Sequence, residues 1–465
     1  MKNTNNHKKY IILLAVVLTL GVLVCIGLLL FVKGGGFAKL SLGQDIINLL
    51  LVLFMLLPLL LLALLIASLI FGSASTVEVE TISAEATSKH TAIEQLTEPE
   101  GKERKGDRHR FYMLSHIDEE KGKYRRDKYD DVSLKSFCDS FRNFACYKLK
   151  LYYDIADIRR FIAGLAVTKM IILQGISGTG KTSLAYAFGE FLGNSSTVIP
   201  VQPMWKERTD LIGYYNEFTK RFNETTLLQK MYEANYSKDM YITVLDEMNI
   251  ARVEYYFAEF LSLLELPNPE KRYLDVVSDK WDNDPVQLKK GQIKLPENMW
   301  FVGTANNDDS TFAISDKVYD RAMVLNLDQK SEVFVAPKTK NVHVSAERFK
   351  ELVEEAEKEY ALTKRNLKRL EELDKYLVES FHITFGNRIM KQIKTYIPVY
   401  VACGGEELDA LDDILAKKVM RKLEMQNPVY IRNAAEGFCA KLDELFGEDK
   451  MLLCKEVIHR LEKNA

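Results

Sequence analysis

The sequence predicts a three-layer α/β domain with a C-terminal helical lid, preceded by a two-helix transmembrane hairpin. Two long uncharged apolar runs, 10–32 and 46–71, stand near the start of the chain. Further on, three short apolar runs each end in chemically capable residues: Gln174-Gly175, Leu245-Asp246-Glu247 and Ala305-Asn306. Strand-length runs alternating with amphipathic stretches read as a sheet between helices, and charged helical segments follow. The expected organisation is a hairpin at 1–72, a linker at 73–130, an α/β core with N-terminal helices at 131–330 and a lid at 331–465.

At 465 residues the chain exceeds what a single core usually holds. A formal net charge of −2 excludes the global basic field that gathers nucleic acid. The six cysteines are scattered without a C-x-x-C pair, and the seven histidines show no metal-ligand spacing. A disulfide framework or a zinc site is therefore not expected.

Each apolar run at the N-terminus is long enough to cross about 30 Å of hydrocarbon at about 1.5 Å per residue. Pro58 would kink the second span. The first run is longer than the apolar part of a cleaved signal peptide and lacks a small-x-small cleavage site. Lys2, Lys8 and Lys9 precede it, against Lys33 and Lys39 in the connector, which favours a cytosolic N-terminus. Two spans would return the chain, giving a multi-pass cell-membrane protein with both termini cytosolic. The stretch 73–130 reads as a tether, its second half dense in Lys and Arg with acids interspersed. A patch that binds lipid headgroups is the alternative reading there.

The chemistry concentrates in the middle of the chain. After the strand-like run from Met170 comes Gly175-Ile176-Ser177-Gly178-Thr179-Gly180-Lys181-Thr182-Ser183, opening an amphipathic helix. The pattern G-x-x-x-x-G-K-T between a strand and a helix is a phosphate cradle: glycines let the backbone wrap the phosphates, and the helix N-terminus adds positive potential. Lys181 would reach the outer phosphates and Thr182 would ligate Mg²⁺. A second strand, starting at Met240, delivers Asp246 for the metal and Glu247 to orient the attacking water. A third, starting at Met299, ends at Asn306, whose amide can hold that water or sense the terminal phosphate. Arg321, just before the apolar run 323–327, is the candidate arginine finger acting on a neighbouring subunit; an Arg paired with Asp316 or Asp320 is the plainer reading.

Two further strings bring a resemblance. Val201-Gln-Pro-Met-Trp205-Lys-Glu-Arg208-Thr-Asp210-Leu-Ile-Gly213-Tyr-Tyr-Asn216 and Leu245-Asp-Glu-Met-Asn249-Ile-Ala-Arg252-Val-Glu-Tyr-Tyr-Phe-Ala-Glu-Phe260, with the N-x-x-D pair Asn306 and Asp309, resemble McrB-type AAA+ proteins. The resemblance covers about 154–423. It implies Walker A at Gly175–Thr182, Walker B at Asp246 and Glu247, sensor 1 at Asn306, the finger at Arg321, and a second sensor contacting nucleotide at Arg388. It also implies an insertion hairpin between Leu266 and Pro296, and a lid segment carrying Lys417, Lys418 and Arg421. A ring, expected to be a hexamer, would hydrolyse ATP or GTP with Mg²⁺. The family's DNA-recognition domain is missing from this pattern, so nucleic acid stays an open partner.

Three functions compete: a membrane-anchored nucleoside triphosphatase that remodels an unidentified protein partner, a nucleotide-gated scaffold, and a GTP-driven DNA translocase subunit of a McrBC-like defence system. The helical stretch Ser133–Val167 is expected to pack on the core. The charged stretch Ala346–Leu377 is expected to form lid helices, a short coiled-coil contact being the alternative.

Overall fold

The computed structural model describes residues 109–306, 311–328 and 331–463. All lie in the unit Arg104–Ala465. The spans expected at 10–32 and 46–71 lie outside the described residues. Among the described residues no helix is long and apolar enough to cross a membrane. The expected placement as a two-span cell-membrane protein is corrected on that finding. The helices Ala346–Glu359 and Lys364–Phe381 each bury one stripe and are otherwise rich in charged residues, a pattern suited to a helix half in water.

The described chain begins with α1 (Met113–Glu119), α2 (Leu134–Leu149) and α3 (Ile155–Val167). The α/β core follows as β1 (Met170–Gly175), α4 (Lys181–Leu192), β2 (Thr197–Pro200), α5 (Thr209–Ile212), β3 (Gly213–Asn216), β4 (Arg221–Glu224), α6 (Thr226–Ala234) and β5 (Tyr241–Asp246). It continues through α7 (Val253–Tyr256), α8 (Ala258–Glu265), β6 (Tyr273–Asp275), β7 (Gln292–Lys294), β8 (Met299–Asn306), α9 (Asp316–Tyr319) and β9 (Met323–Asn326). The C-terminal helices are α10 (Ala346–Glu359), α11 (Lys364–Phe381), α12 (Gly386–Ala402), α13 (Glu407–Lys418), α14 (Pro428–Phe446) and α15 (Leu452–Lys463).

The main sheet runs β2-β5-β8-β1-β9, every pairing parallel. Its central strands are buried on both faces, which is why they read as unbroken apolar runs. Alternate residues feed two cores: Ile171, Leu173 and Val244 pack on one side, and Met170, Ile172 and Leu245 on the other. Gly303 in β8 permits the tight layer beneath, since a Cβ there would stand 2.0 Å from Met248 Sδ. Register puts Gly175 beside Asn306 and Leu245 beside Gly303, so three strand ends meet at one sheet edge.

The N-terminal helices pack on this core as their periodicity predicts. Ser133 and Ser136 form a capping box at the start of α2, and Asp154 caps α3. Their phenylalanines close on α4: Phe141 stands 5.1 Å from Phe188, and Phe137 5.3 Å from Phe191. Such ring pairs are each worth about 1 kcal/mol beyond their burial. The stripe Phe349, Leu352, Val353 and Ala356 on α10 is buried, whereas Tyr360 is exposed. The segment between Leu266 and Pro296 contains the antiparallel pair β6–β7.

Residues 109–130 depart from the tether expected of them. Phe111, Leu114 and Ile117 are buried, and Glu224 accepts from the backbone N–H groups of Tyr112, Met113 and Leu114 at 2.9, 3.0 and 2.7 Å. Arg110 grips Asp284 through two 2.7 Å bonds, and both side chains are 2% exposed. These partners lie 174 positions apart, so local composition could not reveal them.

Replacing Arg110 by Met should strand a buried Asp284 carboxylate and cost about 3 kcal/mol. Urea unfolding would register it as a lowered midpoint. Replacing both residues by apolar ones should recover most of the loss.

Candidate active site

The segment expected to cradle phosphate folds as a strand, a glycine turn and a helix. β1 ends at Gly175, the chain turns through Gly178 and Gly180 at φ 80° and 90°, and α4 begins at Lys181. These left-handed angles suit residues without a Cβ. Lys181 is 7% exposed, and its Nζ donates to the carbonyls of Gly175 and Ile176 at 3.0 and 2.7 Å. The amine thus lies over the loop it terminates, and a triphosphate seated on the loop's N–H groups would offer it stronger acceptors.

Thr182 opens α4 toward β5. Its hydroxyl donates to Asp246 Oδ1 at 2.7 Å, and Thr304 on β8 donates to the same oxygen at 2.8 Å. Thr304 Oγ1 in turn accepts from the backbone N–H of Glu247 at 2.8 Å. Glu247 sits at φ 52°, an uncommon angle for a residue with a side chain, and its side chain is exposed. The Thr304 bond helps hold that turn. A hydroxyl and a single carboxylate make a hard oxygen pair of the kind that holds Mg²⁺ together with phosphate oxygens and water. Among the described residues no cluster of three or more His, Cys, Asp or Glu could hold a metal by itself. The residues therefore fit a cation that arrives with its triphosphate.

Asn306 ends β8 opposite Gly175, and its carbonyl accepts from Asn249 Nδ2 at 3.0 Å. That amide also donates to Thr311 Oγ1 at 2.9 Å, tying the turn after β5 to the chain beyond Asn306. Asp309 lies outside the described residues. The paired strings also have a structural basis: Arg208 reaches both oxygens of Glu259 at 3.0 Å, and Trp205 packs edge-on against Tyr256 at 5.6 Å.

Arg321 stands elsewhere. It precedes β9, whose Met323 pairs with Ile171, four residues before Gly175. At about 3.3 Å per residue the strand rise alone separates it from its own loop by over 10 Å. Its guanidinium meets Glu265 Oε2 at 2.7 Å and the Lys317 carbonyl at 2.8 Å. Neither Asp316 nor Asp320 is its partner in these bonds. Arg388 meets the other oxygen of Glu265 at 2.6 Å. The expected second-sensor arginine therefore shares its carboxylate partner with Arg321.

Residues 170–322 match the family model described as the AAA domain of the dynein-related subfamily. This segment is an AAA-type domain. Residues 338–465 match a family described as a domain of unknown function, DUF8727. Among solved structures, the chain is similar to a "putative ATPase" from Cytophaga hutchinsonii at 13% identity, covering 70% of this chain and 96% of that one, with a TM-score of 0.42. It is also similar to a full-length MCM homolog from Methanopyrus kandleri at 11% identity, covering 62% of each chain, with a TM-score of 0.35. No curated protein matches.

The AAA domain leans on residues that the sequence did not single out. Tyr153 is buried, and its hydroxyl donates to the Gly180 carbonyl at 3.1 Å, backing the phosphate loop. Burial raises its pKa, so it remains a donor at neutral pH. Its only sequence signal was its place just before the α3 cap. Thr304 could have been found as the strand residue two short of Asn306. Glu265 carried no signal, because its partners come from distant segments.

The C-terminal helices hold the turn that carries Arg321. Lys418 Nζ donates to the Tyr319 carbonyl at 2.8 Å and to that of Ala322, and Arg421 stacks 3.0 Å over the Tyr319 ring. Burial pulls the Lys418 amine from 10.5 down to about 7, with Arg421, Arg388 and Lys422 adding to the fall and Asp320 opposing it. Unfolding above pH 7 then requires proton uptake, so stability should rise as pH climbs from about 7 toward 10, by up to about 1.4 kcal/mol per unit. Lys418→Met should flatten that slope in denaturant titrations across the same range.

Proposed function

We propose that this chain is a McrB-type AAA+ nucleoside triphosphatase whose active sites form between subunits of a ring, expected to be a hexamer. The observation that supports it most is the 2.7 Å contact between Thr182 and Asp246 at the mouth of the phosphate loop, with Glu247 next in sequence and exposed. Gly175 to Ser183 would bind the triphosphate through backbone N–H groups, and Lys181 would leave its loop carbonyls for the outer phosphates. Mg²⁺, held by Thr182 and Asp246, would supply charge neutralisation. Glu247 would accept a proton from the attacking water, with Asn306 orienting it from the adjacent strand end. Charge developing at the terminal phosphate would be met by Arg321 of the partner subunit, since the chain's own Arg321 lies at the far edge of its sheet.

The turn that carries Arg321 is clamped by the C-terminal helices, so closing the site would move those helices relative to the next subunit. Remodelling of a bound protein partner is the work we assign to that motion. ATP and GTP both fit the phosphate chemistry described.

Glu247→Gln should reduce turnover at least about 100-fold while leaving nucleotide binding intact, because the side chain keeps its size and loses its basicity. Lys181→Ala should lose binding itself. Phosphate release and fluorescent-nucleotide titration, run with ATP and with GTP, separate the two. Hydrolysis by Glu247→Gln at the wild-type rate would overturn the assignment.

A further inference from the structure

Glu265 has an arrangement that its neighbours in sequence do not explain. It closes the last turn of α8, where the helix dipole disfavours a negative charge. It is compensated by two arginines from separate segments, Arg321 at 2.7 Å and Arg388 at 2.6 Å, one on each carboxylate oxygen. The site stays reachable: the three side chains are 30%, 26% and 53% exposed. Arg321 spends one further N–H on the Lys317 carbonyl, and its Nε is buried without a hydrogen-bond partner. Lys418 and Arg421 fix the turn behind it. A carboxylate holding two guanidiniums side by side aligns them toward whatever anion approaches. It also competes with that anion for their charge.

We propose that Glu265 is a positioning residue that holds Arg321 and Arg388 as one bipartite anion clamp for the triphosphate of the adjacent subunit, and sets how readily that clamp engages. The inference rests on the subunit-shared site proposed above. A triphosphate carries several negative charges against the single charge of Glu265, so it wins the arginines when it arrives, while Glu265 retains their alignment. Two opposite consequences follow from removing the charge. Competition disappears, so subunits engage more readily. Alignment is lost, so each engaged site works less well.

The test measures hydrolysis per subunit against concentration of the full-length chain, with MgATP or MgGTP, whichever is turned over faster. Glu265→Gln should lower the half-assembly concentration roughly fivefold and lower the plateau rate about tenfold. Glu265→Asp should retain more of the plateau rate than Glu265→Gln. In a chain already carrying Arg321→Ala and Arg388→Ala, adding Glu265→Gln should change neither quantity. An unchanged Glu265→Gln profile overturns the proposal. So does a parallel loss of assembly and rate, the mark of a merely structural role, or an effect that persists without the two arginines. A wild-type rate per subunit independent of concentration removes the shared-site reading itself, and this proposal with it.

Discussion

One oxygen atom, Oδ1 of Asp246, organises the site. It accepts from Thr182 on the helix after the phosphate loop and from Thr304 on the neighbouring strand. Thr304 then holds the backbone of Glu247. The loop, the Asp246 carboxylate and the exposed Glu247 are thereby joined through three short bonds. None could form unless β1, β5 and β8 ran parallel and ended at one level, and burying those strands on both faces fixes that level. The layers of helix on either side are what make the register unambiguous, because a slip by one residue would exchange the two cores.

The C-terminal helices take a physical role from the same geometry. The matched family for residues 338–465 is of unknown function, yet its Lys418 and Arg421 brace the turn before β9, and its Arg388 shares a carboxylate with Arg321. The AAA-type domain and the helices after it are thus coupled through polar contacts, and they also share one hydrophobic core that joins Ile171, Leu173 and Val302 to Leu370, Ile393 and Leu411. The exposed Glu265–Arg388 pair is individually weak, whereas the buried Lys418 amine and the shared core make the coupling firm.

Much of this was legible in the sequence. The glycine pattern, the lysine and threonine that close it, and the acid pair after an apolar run obey local rules, and the structure brings Thr182 and Asp246 into contact. The central strands were legible because burial on two faces leaves a continuous apolar signature. What escaped were features made by distant partners. Arg110 looked like part of a charged tether until Asp284 was placed against it. The motif around Arg388 did not say which carboxylate its long side chain would find, because motif position carries no such information. Glu265 looked like an ordinary acid at the end of a helix. The apolar runs at 10–32 and 46–71 satisfied every length rule for spans, but the described helices include none that could cross a bilayer.

The central claim is that Thr182 and Asp246 act together on one magnesium-bound triphosphate. A double-mutant cycle tests it directly: the Mg²⁺ dependence of triphosphate binding, measured by titration calorimetry for wild type, Thr182→Val, Asp246→Asn and the pair. Shared ligation predicts that each single change removes most of the Mg²⁺ dependence and that the second adds little. Fully additive losses, or a wild-type protein whose triphosphate affinity ignores Mg²⁺, would contradict it.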